Sequence, residues 1–456
     1  MEITEAVPAR LGPDHHAGRR IRPATGGPEI RCGLVDLSLA AITTSVVFFY
    51  PSRLDYATLH AGLVQAIEAV PAFAGRLQDR DDSLWIMPGE GLRFSHASSP
   101  ETMSGAVART TRTASGLVDH VDSLGARLQD LPLFTAQLTD LADGSSALGI
   151  SWHHAVGDLY SVARLLQAWS AATEGRPLPG AVLLHDRDAE LQPMLPATEC
   201  RRPGFRLPAG PADQAAIESA IRRAPLVNRT VQLYFTESEL ATMRASLAER
   251  AERPLSGNDA LCGHLIDAIW SAAEDDQPRR LVVPVNVRPR LDLPEGLIGN
   301  VLSEILLELP AHSSAATIGA ALYEGRRNLI ERHFSLPANQ QYLARIGRAA
   351  LERCVPIGFD PLHRTVALSN WSRFGLYELS LAGIAPAVFC PAATAQIAWA
   401  GWLVEGFGGR GRLCTIAVPA RLASALRSGD GQDRLHRYRD GSEQLPELAG
   451  QLPKLA

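Results

Sequence analysis

The apolar pattern of the chain changes its period at one short stretch, SWHHAVGDLYSVARLL, residues 151–166. The residues before it alternate like two strands joined at Asp143-Gly144, a dipeptide typical of hairpin turns. After Asp158 the apolar residues recur at helical spacing, at Leu159, Val162, Leu166 and Trp169. This change predicts a strand that runs directly into a helix, with two histidines at the strand end and Asp158 as the helix N-cap.

Strand and helix patterns alternate in the same way along the rest of the chain. At 456 residues the chain is longer than one ordinary hydrophobic core supports, so two domains are expected. Residues from about 185 to 215 mix proline and charge with no apolar period, which is typical of a crossover. We therefore predict an α/β (α+β) fold in two halves, residues 1–200 and 201–456, each built from mixed strands and helices.

The individual elements follow from the same patterns. A strand is expected at 43–52, and a helical stripe follows it at Leu59, Leu63, Ile67 and Val70. In the second half, the patterns predict helices near 237–250, 258–273 and 316–334, and strands at about 230–235, 364–369, 375–381, 396–403 and 412–417.

Two further stretches resemble functional motifs without their context. GFGGRG at 406–411 has the spacing of a dinucleotide-binding loop, but a strand pattern follows it instead of a helix. It is therefore expected to be a hairpin loop. DHHAGRR at 14–20 repeats the double histidine without an aspartate four positions later, and it is expected to be a mobile tail.

The composition excludes several classes of protein. Lys454 is the only lysine, so P-loop, protein-kinase and pyridoxal chemistry have no lysine at the position that each requires. A net charge of -5, without a basic run that alternates with aromatics, argues against nucleic-acid binding. The six cysteines contain no C-x-x-C pair, so neither a zinc site nor a disulfide framework is indicated. With no signal-like segment and no long apolar run, we expect a cytoplasmic protein that does not bind membranes.

The chemistry of His153, His154 and Asp158 has two readings. They could simply be the polar end of a strand followed by an N-cap, which is the more common use of such residues. Alternatively, a neutral imidazole with a pKa near about 6.5 could take a proton from a hydroxyl or amine and return it to a leaving thiolate. No second ligand cluster supports zinc, and no G-x-S-x-G elbow supports a serine hydrolase.

Several segments, in the same order, resemble the BAHD acyltransferase family, which belongs to the superfamily of chloramphenicol acetyltransferase and peptide-synthetase condensation domains. HHAVGD resembles its H-x-x-x-D motif, and the resemblance covers roughly residues 35–420. The other matching segments are VPAFAGRLQ (70–78), SGNDALCGHLIDAIW (256–270), VPVNVRPRLDLPEGLIGNVL (283–302) and LSNWSRFGLYELSLAGIAP (368–386). Where the family has D-F-G-W-G-K-P, this chain has SLAGIAP and keeps only Pro386, which indicates a divergent, microbial branch.

The resemblance implies a fold and a set of functional residues. Each half would be a chloramphenicol acetyltransferase-like domain, with an active-site channel at their interface and strands near 385–405 packed on the N-terminal half. His154 would be the general base and His153 a supporting neighbour, and Asp158 would pair with an arginine. The remaining candidates are Arg288 or Arg290 for that pair, Ser369 and Trp371 for the oxyanion, and Asn300, which would shape the channel or only form a turn.

The resemblance also implies the reaction. The chain would be a monomeric acyltransferase that uses acyl-CoA as co-substrate, with no bound cofactor and no metal, and acylates a hydroxyl or amine of a small specialised metabolite. Two alternatives stay open: an acyl carrier protein could supply the acyl group, or a relative of the same fold could bind or cyclise a natural product without acyl transfer. The residues that would bind CoA and the identity of the acceptor do not follow from the sequence.

Overall fold

Two mixed sheets carry the fold of the computed structural model, which describes residues 16–110, 116–274, 276–392, 397–446 and 448–449. The strands, in chain order, are β1 (His16–Ile21), β2 (Ile30–Arg31), β3 (Thr43–Tyr50), β4 (Gly75–Arg80), β5 (Ser83–Pro88), β6 (Leu92–Ser98), β7 (Phe134–Asp140), β8 (Ser146–His153), β9 (Phe205–Arg206), β10 (Asn228–Phe235), β11 (Arg279–Asn286), β12 (Leu302–Leu309), β13 (Val355–Pro356), β14 (Thr365–Asn370), β15 (Val388–Pro391), β16 (Ala400–Glu405) and β17 (Arg412–Pro419).

The helices lie between these strands and cover one face of each large sheet. In chain order they are α1 (Leu34–Ser38), α2 (Tyr56–Ala69), α3 (Met103–Thr110), α4 (Gly125–Leu128), α5 (Leu159–Thr173), α6 (Arg187–Leu191), α7 (Pro211–Val227), α8 (Glu237–Ala251), α9 (Gly257–Ala272), α10 (Ala315–Arg327), α11 (Leu336–Ile346), α12 (Arg348–Leu351), α13 (Ala420–Arg427) and α14 (Gly429–Leu435). Among the described residues, no helix is both long enough and apolar enough to cross a membrane.

The first sheet has the strand order β1-β6-β7-β8-β3-β15. Only β6 and β7 are parallel within it; the other neighbours pair antiparallel. Every residue of β8 is buried, and β8 lies in the interior of the sheet between β7 and β3. On the helix side, α2 packs against α5, and the indole of Trp169 meets the ring of Phe94 edge-on at 5.5 Å.

The second sheet has the strand order β10-β17-β16-β14-β11-β12, and β14 is parallel to both of its neighbours. Helices α9 and α10 pack together on one face of it. At their contact, a Cβ on Gly263 would lie 2.4 Å from the carbonyl oxygen of Ala315, so only glycine allows this approach.

One strand links the two sheets. β15 follows β14 along the chain, yet it pairs with β3 at the edge of the first sheet, with Val388 opposite Phe49 and Cys390 opposite Val47. β16 returns to the second sheet, between β14 and β17. The boundary at residue 200 stays a prediction.

The structure confirms most predicted elements and corrects two. Residues 375–381 do not form a strand: Arg373 and Gly375 have φ of 77° and 66°, which breaks the extended chain, and a short 3-10 turn follows at Leu376–Glu378. The predicted mobile tail is also wrong, because residues 16–21 form strand β1 beside β6. Residues 14 and 15 lie outside the described residues. The GFGGRG stretch is the predicted hairpin loop, between β16 and β17.

Candidate active site

The turn between β8 and α5 places the two histidines. His153 ends β8 opposite Thr43, and the backbone N–H of His154 donates to the carbonyl of Ile42 at 2.9 Å. Strand pairing therefore fixes the backbone as far as His154. The turn then closes with a 3.0 Å hydrogen bond from the Val156 N–H to the His153 carbonyl. Asp158 begins the helix and accepts from the backbone N–H of Ser161 at 3.1 Å, as predicted for an N-cap.

The second carboxylate oxygen of Asp158 binds the other half of the chain. The Arg288 guanidinium donates to it at 2.7 Å, and the backbone N–H of Val301 donates at 3.2 Å. The two side chains of this ion pair are 3% and 4% exposed. Of the two arginines considered from the sequence, Arg288 makes the contact, while Arg290 lines a large groove nearby. Asp158 therefore points away from solvent and holds the turn to the second half.

Asn300 holds the same turn from its other side. Its side-chain amide donates to the carbonyl of His154 at 2.8 Å and to the carboxylate of Asp36 at 2.7 Å. The asparagine is 5% exposed, and it lies two residues before the strand β12 of the second half. Asn300 therefore does more than form a turn, because its side chain contacts the backbone of His154, the candidate base.

Two residues that the sequence analysis did not single out complete the support. Arg187, in the predicted crossover, is 5% exposed and pairs with Asp36 at 2.9 Å. Its guanidinium also donates to the carbonyls of Ala155 at 2.9 Å and Val156 at 2.7 Å, inside the turn. An arginine in a proline-rich, charged segment gives no periodic signal. The only sequence signal was Asp36, a single carboxylate within the apolar run GLVDLSLA.

The two histidines differ in what their rings can do. His153 is completely buried, and its Nδ1 accepts from the backbone N–H of Ala155 at 3.2 Å while Nε2 lies 3.3 Å from the carbonyl of Ser123. Both ring nitrogens are engaged in the neutral form with the proton on Nε2, and burial lowers the pKa of His153 to about 4. The His153 ring therefore has no nitrogen without a partner.

His154 is half-buried and better suited to exchange a proton. Burial lowers the pKa of His154 below its ordinary value, although the nearby Asp158 carboxylate raises it in part. The imidazole is thus neutral at neutral pH, and a neutral imidazole can accept a proton.

Ser369 and Trp371 come together at the end of β14. The indole N–H of Trp371 donates to the Ser369 hydroxyl at 3.0 Å, which leaves the hydroxyl proton free to point elsewhere. Trp371 is 8% exposed and its ring lies 6.1 Å from that of Trp402 and 6.4 Å from that of Phe389. The tryptophan therefore packs in the core and also orients the serine.

A groove of about 780 Å³ runs along the helix-covered face of the second sheet. Tyr160, in the first turn of α5, lines it close to the catalytic turn, and the Arg288 guanidinium lies 4.5 Å above the Tyr160 ring. Five arginines line the groove: Arg244, Arg290, Arg326, Arg373 and Arg412. Burial lowers the pKa of Arg412, and the neighbouring Arg373 adds to that shift, whereas Glu405 and Glu237 oppose it. The carboxylates of Glu237 and Asp259 also line the groove, and Asp259 pairs with Arg326 at 2.9 Å, so the arginines outnumber the carboxylates. Within the described ranges, no three His, Cys, Asp or Glu side chains are grouped to hold a metal ion.

Comparisons with known proteins agree on one family. The model of the Transferase family matches residues 20–398. Putrescine hydroxycinnamoyltransferase 3 of Oryza sativa subsp. japonica is 29% identical over 269 residues, which are 56% of this chain and 58% of that protein. Agmatine coumaroyltransferase-1 of Hordeum vulgare is 25% identical over 406 residues, which are 82% of this chain and 89% of that protein. The chain therefore spans little more than half the length of the first of these relatives.

Solved structures are similar in fold. TRI101 of F. graminearum, in complex with ethyl coenzyme A, superposes with a TM-score of 0.67 at 14% identity and covers 89% of this chain and 98% of its own. Vinorine synthase superposes with a TM-score of 0.62 at 17% identity and covers 90% of this chain and 96% of its own. The likeness extends over both halves and confirms the predicted two-domain fold.

Proposed function

The chain belongs to the Transferase family, the BAHD acyltransferases, and on that premise we propose that it moves an acyl group from an acyl-CoA thioester to a hydroxyl or amine of a small-molecule acceptor. The main support for the proposal is that the rings of the two histidines differ in their hydrogen-bond partners. Both nitrogens of the His153 ring are engaged, whereas His154 combines a neutral imidazole with a rigidly held backbone. The names of two relatives, a putrescine and an agmatine acyltransferase, agree with this reaction.

In the proposed mechanism His154 acts twice. The imidazole takes a proton from the acceptor hydroxyl or neutral amine while the acceptor oxygen or nitrogen forms a bond to the thioester carbonyl carbon. The carbonyl oxygen becomes an oxyanion, to which the Ser369 hydroxyl would donate. When the intermediate collapses, the carbon–sulfur bond breaks and the imidazolium returns its proton to the thiolate. The products are the acylated acceptor and free CoA thiol, and the histidine is neutral again.

Asp158, Arg288, Asn300 and Arg187 would act as positioning residues. They contact the backbone of the turn or each other, and they fix the catalytic turn from both halves of the chain. Such positioning matters because a displacement of about 1 Å can cost a large factor in rate.

The arginine-lined groove is the proposed site for CoA. Arginine binds phosphate oxygens in pairs, and the groove carries five arginines beside the catalytic turn. A phosphopantetheine arm on a carrier protein has fewer phosphates to offer than free CoA, so a groove with this charge favours free CoA as the donor.

Thiol release with a panel of acyl-CoAs and acceptors tests the function, and His154→Ala tests the mechanism. We expect the variant to lose about 100-fold or more in rate, because a general base contributes at least that much. Circular dichroism should show an intact fold. His185→Ala, which removes an exposed histidine from the crossover, should keep the wild-type rate. A His154→Ala variant with normal activity would refute the mechanism.

A further inference from the structure

A second cavity, of about 280 Å³, lies beside strand β12. Residues 199–204 of the crossover form one wall, and the strand itself forms another with Glu304 and Leu306. The third wall comes from the segment that precedes α11, with Arg332, His333 and Ser335. None of these residues belongs to the catalytic turn or to the arginine-lined groove.

The register of the second sheet places this cavity on the same face as Ser369. Glu304 lies opposite Pro284, and Val282 lies beside Ala367 of β14, so residues 304, 284, 282, 367 and 369 share one face. Ile305 and Asn370, which alternate with them, line the arginine-lined groove, and Pro284 lines it too. The cavity and the groove nevertheless have no lining residue in common.

The distance from the reaction centre follows from the same strand geometry. Asn300, whose amide holds the His154 carbonyl, precedes Glu304 by four residues, about 13 Å at most along an extended chain. Ser369 and Glu304 lie on strands separated by one other strand, which is about 10 Å across the sheet. A small molecule with its reactive end at His154 could thus reach the cavity only if it were elongated.

Glu304 presents one open carboxylate oxygen to the cavity. The Ser335 hydroxyl and the Asn339 amide both donate to Oε2. Among the described residues, no side chain donates to Oε1. A Cβ on residue 204 would lie 2.9 Å from Cδ, Oε1 and Oε2 of Glu304, so only glycine lets the crossover approach the carboxyl group this closely.

The arginines around the cavity do not neutralise this carboxylate. Arg201 donates to the carbonyls of Thr198 and Cys200, Arg202 pairs with Glu308 at 3.4 Å, and Arg332 is exposed at the rim. Burial raises the pKa of Glu304, and no cation among the described residues opposes that shift. A partly buried carboxylate without a counter-charge is unfavourable, and a cation that enters the cavity would relieve this cost.

We propose that the cavity binds an alkylammonium or guanidinium group that donates to Oε1 of Glu304. The inference rests on the proposed function in one respect: the bound group would be the distal end of the acceptor, whose other end reacts at His154. The acceptor would then be an elongated amine or alcohol with a cation at the far end. A free small cation that is not an acceptor could also bind Glu304 in the same way. The experiments below distinguish this cation from the distal end of an acceptor.

Calorimetric titration of the full chain with diamines tests the site without any acyl-CoA. The probes are diaminoalkanes of increasing length, from putrescine upward, and the uncharged diols of the same chain lengths. At one or more lengths the diamine should bind about tenfold more tightly than its diol, because an ammonium forms a charge-assisted hydrogen bond at Glu304 that a hydroxyl cannot match. Equal affinity of diamine and diol at every length would overturn the inference.

Three variants locate the effect. Glu304→Gln should remove the diamine advantage, whereas Glu249→Gln, an exposed carboxylate of α8 that does not line the cavity, should keep it. Gly204→Ala should also reduce the advantage, because its Cβ would lie 2.9 Å from the carboxyl atoms of Glu304 and would displace them. If Glu304→Gln binds diamines as tightly as the wild type does, the site is not there.

Acyl transfer to the same probes then separates this inference from the proposed function. Transfer to long diamines whose KM rises about tenfold in Glu304→Gln, at an unchanged kcat, supports both. Glu304-dependent binding without transfer from any acyl-CoA supports the site as one for a free cation and refutes its role for the acceptor. Transfer with the same KM in wild type and Glu304→Gln refutes the site and leaves the proposed function intact.

Discussion

Asp158 is a single carboxylate that performs two structural tasks. One oxygen caps α5 through the Ser161 N–H, and the other binds Arg288 and the Val301 N–H of the second half. The helix start and the contact between the halves therefore depend on the same side chain. Asp158 thus anchors the turn between β8 and α5 to the second half of the chain.

Asp158→Asn is predicted to destabilise the protein by about 3–5 kcal/mol. Asparagine is also a good N-cap, so the loss comes from a buried guanidinium left without its counter-charge. The matched control is Asp55→Asn, the N-cap of α2, which is exposed and bonds only within its own helix end; it should cost less than about 1 kcal/mol. Urea unfolding of both variants gives the comparison. An Asp158→Asn variant that is fully stable but inactive would show that the carboxylate takes part in the chemistry.

At the scale of elements, periodic patterns predicted the helices, strands and turns that depend on local sequence. The period change at 151–166 located the end of β8, the turn and the N-cap of α5. Helices α8 and α9 begin and end within about two residues of their predicted bounds. The Arg187–Asp36 pair could not be predicted from the sequence, because a contact between residues 151 positions apart does not change the local pattern around either residue.

The failed strand at 375–381 shows a related limit. Its residues GLYELSL alternate as a strand does, but the left-handed backbone at Arg373 and Gly375 turns the chain before pairing can begin. Tertiary contacts determine whether such a short segment forms a strand, since strand propensity depends on the strands and side chains beside the segment.

The packing of α9 on α10 provides a prediction at this scale. Gly263→Ala should lower the free energy of unfolding by about 1–3 kcal/mol, because the new Cβ would lie 2.4 Å from the Ala315 carbonyl and force the helices apart. Gly257→Ala is the control on the same helix, since nothing lies within 4 Å of its Cβ position. Thermal or urea unfolding should show the first variant destabilised and the second unchanged or slightly stabilised. Equal stability of the two would mean that the helices are not in close contact.

For the whole molecule, the candidate site combines residues from both predicted halves of the chain. The turn with His154 comes from the first half, whereas Arg288 and Asn300 come from the second. The family motifs predicted a partner for Asp158 among Arg288 and Arg290, and they left Asn300 as a residue of the channel or of a turn. The match of the fold to TRI101 and vinorine synthase extends across both halves. Whether the protein is a monomer stays a prediction.

The groove predicts how donor binding responds to salt. Calorimetric affinity for acyl-CoA should fall as salt rises from about 0.1 M to 1 M, because screening shortens the Debye length from about 10 Å to 3 Å. Arg244→Met, within the groove, should weaken binding about fivefold, whereas Arg250→Met, exposed on the same helix outside the groove, should not. If no free acyl-CoA binds at either salt concentration and a loaded carrier protein supports turnover, the donor is a carrier protein and not CoA.

The pairing of β15 with β3 has a consequence for how the protein is made. During synthesis the first sheet cannot be completed until residue 391 has left the ribosome, although β3 has been available since residue 50. Through most of translation the edge of β3 is an unpaired strand with apolar residues from Val46 to Tyr50. Such an edge can capture a strand from another nascent chain, so chaperone binding to unfinished chains should be strongest before β15 emerges.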